Sequence, residues 1–171
     1  MILNSDMRPE DLLKTLGKAD ELVMKHITWS PDGMVAPHKL ADGTNEMTVT
    51  LTFGKYLGNL YGYLHGGITA FLVDMLTSLH LIAATGRAGH VSASLHISYL
   101  RPVPIGRQVV VRTTILSTGK RAAFLACRFT EADGDRSLLA KGEHLKLFVN
   151  SQKAEDALAA GVSAGVVASK L

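Results

Sequence analysis

Residues 59–74 read NLYGYLHGGITAFLVD and hold the side chains best suited to chemistry. A polar stretch that begins at Asn59 runs into His65-Gly66-Gly67, and an apolar segment with helical patterning follows, carrying a single carboxylate, Asp74. Glycine costs a helix roughly 1 kcal/mol relative to alanine. Two in succession at a helix mouth therefore ask for a reason beyond packing. Lacking Cβ atoms, they let another group approach the backbone, and the first free N–H groups of the helix point at it. Such a mouth suits an anionic or strongly polarised oxygen. Asp74 stands among Ala70, Phe71, Leu72, Val73, Met75 and Leu76. A carboxylate in apolar surroundings is rarely buried without a partner.

The elements that must hold these groups follow from periodicity. A helix is expected over about residues 8–25, capped by Asp6, with Pro9, Glu10 and Asp11 in its first turn and Leu12, Leu13, Leu16, Leu22 and Val23 on its apolar side. A loop-rich segment follows, with Pro31-Asp32-Gly33 as a turn. Met47, Val49, Leu51 and Phe53 alternate with Thr48, Thr50 and Thr52, the pattern of a half-buried strand. The segment from Gly66 to about Ala84 predicts a long helix, apolar on most of its circumference and therefore buried. Strand-like runs follow at 91–100, 108–116, 122–130 and 138–149, the first closed by Arg101-Pro102-Val103-Pro104. The turns between the later runs are short, at 118–120 and 133–135, which requires antiparallel pairing. Helix, strand, buried helix and strand meander add up to an α+β domain, one antiparallel sheet around one helix.

Composition narrows the function. The chain of 171 residues suits one domain with a real core, 1–149, and at 47% apolar and 19% charged it is globular. Its net charge of +3 is spread without a run or stripe, which excludes an electrostatic nucleic-acid footprint and suits an anionic small molecule. The one cysteine, Cys127, allows no internal disulfide and reads as a core residue in a reducing compartment. No basic-then-apolar leader opens the chain, and no apolar stretch is expected to reach a membrane span. His26, His38, His80, His90, His96 and His144 show no metal-ligand spacing, and nucleophile-elbow, P-loop and dinucleotide motifs are missing from the sequence. From about Asn150 the chain turns rich in Ala, Gly and Ser, as a flexible tail would, and it closes on Ser169-Lys170-Leu171. That tripeptide is the spelling of a peroxisomal address, so import into a peroxisome or related organelle through the matching receptor is expected, with the cytoplasm as the alternative.

One set of residues also stands in register with a known family. Asn59 lies six residues before His65, Asp74 nine after it, and Ser92 eighteen after Asp74. The texture L-H-G-G-x-T-A-x-L-V-D, then Val91-Ser92, Ile97-Ser98-Tyr99 with Pro102 beyond, and a Gly119-Lys120 turn, completes the match over roughly residues 50–146. In these features the chain resembles the hot-dog-fold acyl-CoA thioesterases, in their PaaI-like group. The resemblance implies a sheet curled around the central helix, two subunits forming one continuous sheet, active sites built between subunits, and a homodimer or homotetramer. It implies no cofactor, since CoA is part of the substrate.

It also implies roles. The Gly66 N–H becomes the oxyanion donor, aided by the helix dipole; such a donor is typically worth about 3–4 kcal/mol. Asp74 becomes the general base for water or, alternatively, a direct nucleophile. Ser92 would hold the water or orient Asp74, while Asn59 and His65 would position the thioester and the Gly-Gly turn. Gly67, Ser94 and Tyr99 join the substrate-binding set, with Tyr99 along the pantetheine channel. The turn Ser117-Thr118-Gly119-Lys120-Arg121 offers N–H groups and cations to the CoA phosphates. The expected reaction is hydrolysis of acyl-CoA to free acid and CoA. A hydroxyacyl-CoA dehydratase or a non-catalytic acyl-CoA-binding domain on the same fold are the alternatives.

Overall fold

Seven strands form a single antiparallel sheet in the computed structural model, which describes residues 18–30, 32–133 and 136–149. A short helix α1 (Lys18–Met24) leads into β1 (Ile27–Trp29), β2 (Val35–Lys39) and β3 (Asn45–Phe53). The long helix α2 (Gly66–Thr85) comes next, and then β4 (His90–Tyr99), β5 (Gln108–Thr118), β6 (Ala122–Glu131) and β7 (Leu138–Phe148), of which only β5–β7 form a meander, since β4 pairs with β7 and not with β5. The order across the sheet is β1-β3-β5-β6-β7-β4, and β2 shares the outer edge of β3 with β1. This is the α+β arrangement expected from the sequence. Residues 1–17, which include the start of the helix expected at about 8–25, Pro31 and Gly134-Asp135 of the expected turns, and the tail 150–171 with its Ser169-Lys170-Leu171 ending lie outside the described residues.

Alternation builds the core. In β3, Met47, Val49, Leu51 and Phe53 are all at most 1% exposed, and Val109, Val111, Leu125, Cys127 and Phe129 answer them from β5 and β6. Burial also pushes the Cys127 thiol pKa up, as suits a core side chain. Helix α2 lies against this inner face through Leu72, Val73, Leu76 and Leu79. It presses closest on β7, where a Cβ at Gly142 would lie 2.6 Å from Val73 Cγ1. Gly86, at φ 70°, ends the helix in the left-handed conformation that glycine adopts without strain.

Helix α2 corrects one expectation. It has 20 residues with mean hydropathy 1.6 over its most apolar window, so by length and composition it is long and apolar enough to cross a membrane. In the fold it lies along the sheet, with half of that window buried inside the protein. The segment expected to be loop-rich also contains β1 and β2; Pro37 inside β2 coincides with a register shift against β3.

Candidate active site

The mouth of α2 is built around its two glycines. His65 is the N-cap, in extended conformation, and its Nδ1 accepts the Gly67 N–H at 3.0 Å. A neutral ring in that role carries its proton on Nε2, facing outward. A side chain at Gly67 would crowd the His65 ring, since a Cβ there lies 3.3 Å from Nδ1. Gly66 sits beneath Tyr99, whose ring would lie 3.3 Å from a Cβ, and the Tyr99 hydroxyl donates to the Gly66 carbonyl at 2.9 Å. That bond ties the end of β4 to the start of the helix. The Gly66 N–H itself has no acceptor among the described residues, as expected at the first position of a helix. Asn59 holds the preceding loop: its Oδ1 accepts the N–H groups of Tyr61 at 2.9 Å and Tyr63 at 3.2 Å. Asn59, Gly66 and Tyr99 line one open cavity of about 630 Å³, with Tyr61, Tyr63 and Arg101 around them.

Two turns along the helix stands a second polar cluster. Asp74 is about half exposed, and its Oδ1 collects every donor in reach. Lys146 Nζ donates to it at 3.1 Å, Ser92 Oγ lies 3.2 Å away, and Ser78 Oγ is at the limit of 3.5 Å. No donor among the described residues reaches Oδ2. Behind Ser92 stands His144, fully buried, with Nε2 2.9 Å from Ser92 Oγ and Nδ1 2.7 Å from Thr77 Oγ1. The Thr77 hydroxyl lies 2.7 Å from the Val73 carbonyl. The one proton of Ser92 cannot serve both Asp74 Oδ1 and an Nε2 lone pair, so donation from Ser92 to Asp74 goes with His144 Nε2–H donating to Ser92, and the Thr77 proton then turns from the Val73 carbonyl to Nδ1.

The electrostatics follow from burial and these partners. Desolvation works against the Asp74 carboxylate, but the Lys146 ammonium first, then the His144 ring and the Ser92 hydroxyl, outweigh it and hold its carboxyl below the ordinary 3.8. Burial presses Lys146 below its ordinary 10.5 while the Asp74 charge pushes back. Desolvation lowers His144 and His90 to about 4, with Lys146 adding to the effect. Both rings are therefore neutral at neutral pH.

The structure thus brings Asn59, Gly66, Gly67, His65 and Tyr99 together at the helix mouth, and Asp74 and Ser92 at a separate cluster. Ser94 lies on the exposed edge strand β4, beyond the bulge that follows Ser92. The turn at 117–121 joins β5 to β6 at the opposite end of α2, where Arg87 grips the carbonyls of Gly119 at 3.1 Å and Lys120 at 2.9 Å. Sequence reasoning passed over His144 and Lys146. Their signal is the parity of β7, in which Gly142, His144 and Lys146 share the buried face. Among the described residues no three His, Cys, Asp or Glu side chains gather as a metal set.

The chain is similar to known thioesterases. The family model described as the thioesterase superfamily matches residues 61–137. Acyl-coenzyme A thioesterase 13 of Mus musculus is 38% identical over 88 residues, covering 52% of this chain and 62% of its own. The match thus spans about three fifths of that relative's length. The crystal structure of mouse thioesterase superfamily member 2 superimposes with a TM-score of 0.65 at 26% identity, covering 81% of this chain and 95% of its own. The zebra fish protein of that name gives a TM-score of 0.69 at 23% identity, covering 87% and 99%, a likeness of fold.

Proposed function

We propose that this chain is a member of the thioesterase superfamily and hydrolyses acyl-CoA thioesters to free acid and CoA on its hot-dog fold. The observation that carries the reading is the Asp74 carboxylate, anchored through one oxygen and open at the other. In the reaction Asp74 takes a proton from water, and the resulting hydroxide attacks the thioester carbon. The Gly66 N–H and the positive end of the α2 dipole stabilise the oxyanion. The C–S bond then breaks with its electrons on sulfur, and the thiolate recovers the proton.

The site is completed by a second copy. Gly66 and Asp74 are eight residues apart on one helix, a rise of about 12 Å, which separates donor and base too widely for comfortable work on one carbonyl. Strand β4 ends the sheet with an unpaired edge and exposes Val91 and Leu95, so a second chain adding there would continue the sheet. Gly66 of one protomer then meets Asp74 of its partner, and the 117–121 turn is free to meet CoA phosphates. Pairs of such dimers give a tetramer.

The test is release of free CoA from a panel of aliphatic and aromatic acyl-CoA substrates, followed with a thiol reagent. Wild-type protein is expected to turn over at least one class, and binding without release would refute hydrolysis. Gly66→Val and Asp74→Asn proteins, each nearly inactive, are expected to regain partial activity when mixed and allowed to exchange subunits. No recovery in proven heterodimers would refute the shared site.

A further inference from the structure

Lys146 is 2% exposed, on a strand whose buried face is otherwise set by Gly142 and His144. Its ammonium makes two contacts among the described residues, with Asp74 Oδ1 at 3.1 Å and Ser92 Oγ at 3.3 Å. Both are members of the cluster described above. A buried ammonium held by one half-exposed carboxylate is a poor device for stability, because its desolvation cancels most of the attraction and an apolar residue of similar volume often does as well. The pair therefore asks for another reason.

Geometry supplies one. The donors around Asp74 converge on Oδ1, and no donor among the described residues reaches Oδ2 of this half-exposed side chain. The titratable groups that face Asp74 are His90 on β4 and His144 and Lys146 on β7. The two imidazoles are buried and neutral at neutral pH. The cation against Asp74, among the described residues, is then Lys146.

We infer that Lys146 is a positioning residue of the hydrolysis: it pins Oδ1 of Asp74, so that Oδ2 is the oxygen that accepts the proton of the attacking water. This rests on the reading of Asp74 as general base. The water O–H pair becomes the new C–O bond, its proton moves to Oδ2, and the same proton later passes to the departing thiolate. Lys146 exchanges no proton in the cycle; it acts on the reaction only through Asp74 and Ser92.

The experiment compares kcat and KM against pH for wild type and Lys146→Met, using the acyl-CoA that wild type hydrolyses best. Met preserves length and removes charge and donor. The expected result is a kcat lower by roughly tenfold or more, within the range of positioned proton transfer, with KM within about threefold. The acidic limb of the profile should move to higher pH, because the Asp74 carboxyl loses the cation that lowers it. Melting temperature should be unchanged or higher. Lys146→Gln, which keeps a donor without the charge, should move the acidic limb in the same direction and serves if the Met protein does not fold. An unmoved acidic limb in a folded variant overturns the inference, and so does a loss confined to KM. Asp74→Asn, run alongside, separates the two claims. If it stays active, the general-base reading fails as well; if it is inactive while Lys146→Met matches wild type, only the role of Lys146 fails.

Discussion

Two histidines at the interface of α2 and the sheet invite comparison. His80 and His144 are both 0% exposed, both have each ring nitrogen in a hydrogen bond, and burial lowers both to about 4. His80 projects from the helix to the sheet, with Nε2 2.9 Å from Asn45 Oδ1 and Nδ1 2.9 Å from Thr113 Oγ1. Its chain closes there, on neutral side chains of β3 and β5. His144 projects the other way, from sheet to helix, and its chain runs through Ser92 to a half-exposed carboxylate and a buried ammonium. Burial and a depressed pKa are thus common to a core histidine and a site histidine. What separates them is where the chain of hydrogen bonds ends.

The sharpest test of that difference is at the carboxylate. Asp74→Asn should lower kcat by about 10²–10⁴, the usual yield of a positioned base, while acyl-CoA binding survives. Steady-state kinetics together with a binding measurement decide it. No carboxylate ends the His80 chain, so no substitution along it should approach that loss.

A second test moves the helix against only one of the two networks. A Cβ at Gly142 would lie 2.6 Å from Val73 Cγ1, so Gly142→Ala should overpack the seat of α2 on β7 and cost about 1–3 kcal/mol by denaturant titration. It should also lower kcat, because Val73 neighbours Asp74 in the helix. A variant of unchanged stability would mean that the helix can shift on the strand freely.

The histidines themselves should separate in kind. His144→Gln removes the imidazole that holds Ser92 and should lower kcat about tenfold. His80→Gln should leave kcat within about twofold and instead destabilise the fold by about 1–3 kcal/mol, the cost of disturbing a buried hydrogen-bonded group. Equal kinetic losses would collapse the distinction drawn here.

One further effect is common to both histidines. His80, His90 and His144 are held at about 4 against an ordinary 6.5, so the unfolded chain takes up protons at a pH where the folded protein refuses them. Their contribution to stability is fully present above 6.5 and is lost as pH falls towards 4. Thermal melts across that window should show a falling melting temperature, flattened to similar degrees in His80→Phe and His144→Phe proteins. A melting temperature independent of pH would contradict the burial of all three.

What could be read from residue order alone was what is local in the chain. The His65-Gly66-Gly67 mouth and Asp74 lie on one helix, so a 3.6-residue period suffices to relate them, and the alternation of Met47, Val49, Leu51 and Phe53 names a strand without knowledge of its neighbours. The family spacing added Asn59 and Ser92. Strands β1 and β2 escaped because one has three residues and the other carries Pro37, too little pattern for a period to show. His144 and Lys146 escaped for a different reason. On a strand, parity says which residues share a face, but not which face is buried or what lies across it. Lys146 reads by itself as a solvated lysine; only the seating of α2 on Gly142 turns it inward, 72 residues along the chain from its partner Asp74. Sequence determined the groups capable of chemistry, because residue type and local period settle them. Tertiary structure decided which oxygen of Asp74 is anchored and which is open, because that depends on donors brought from two distant strands to one point.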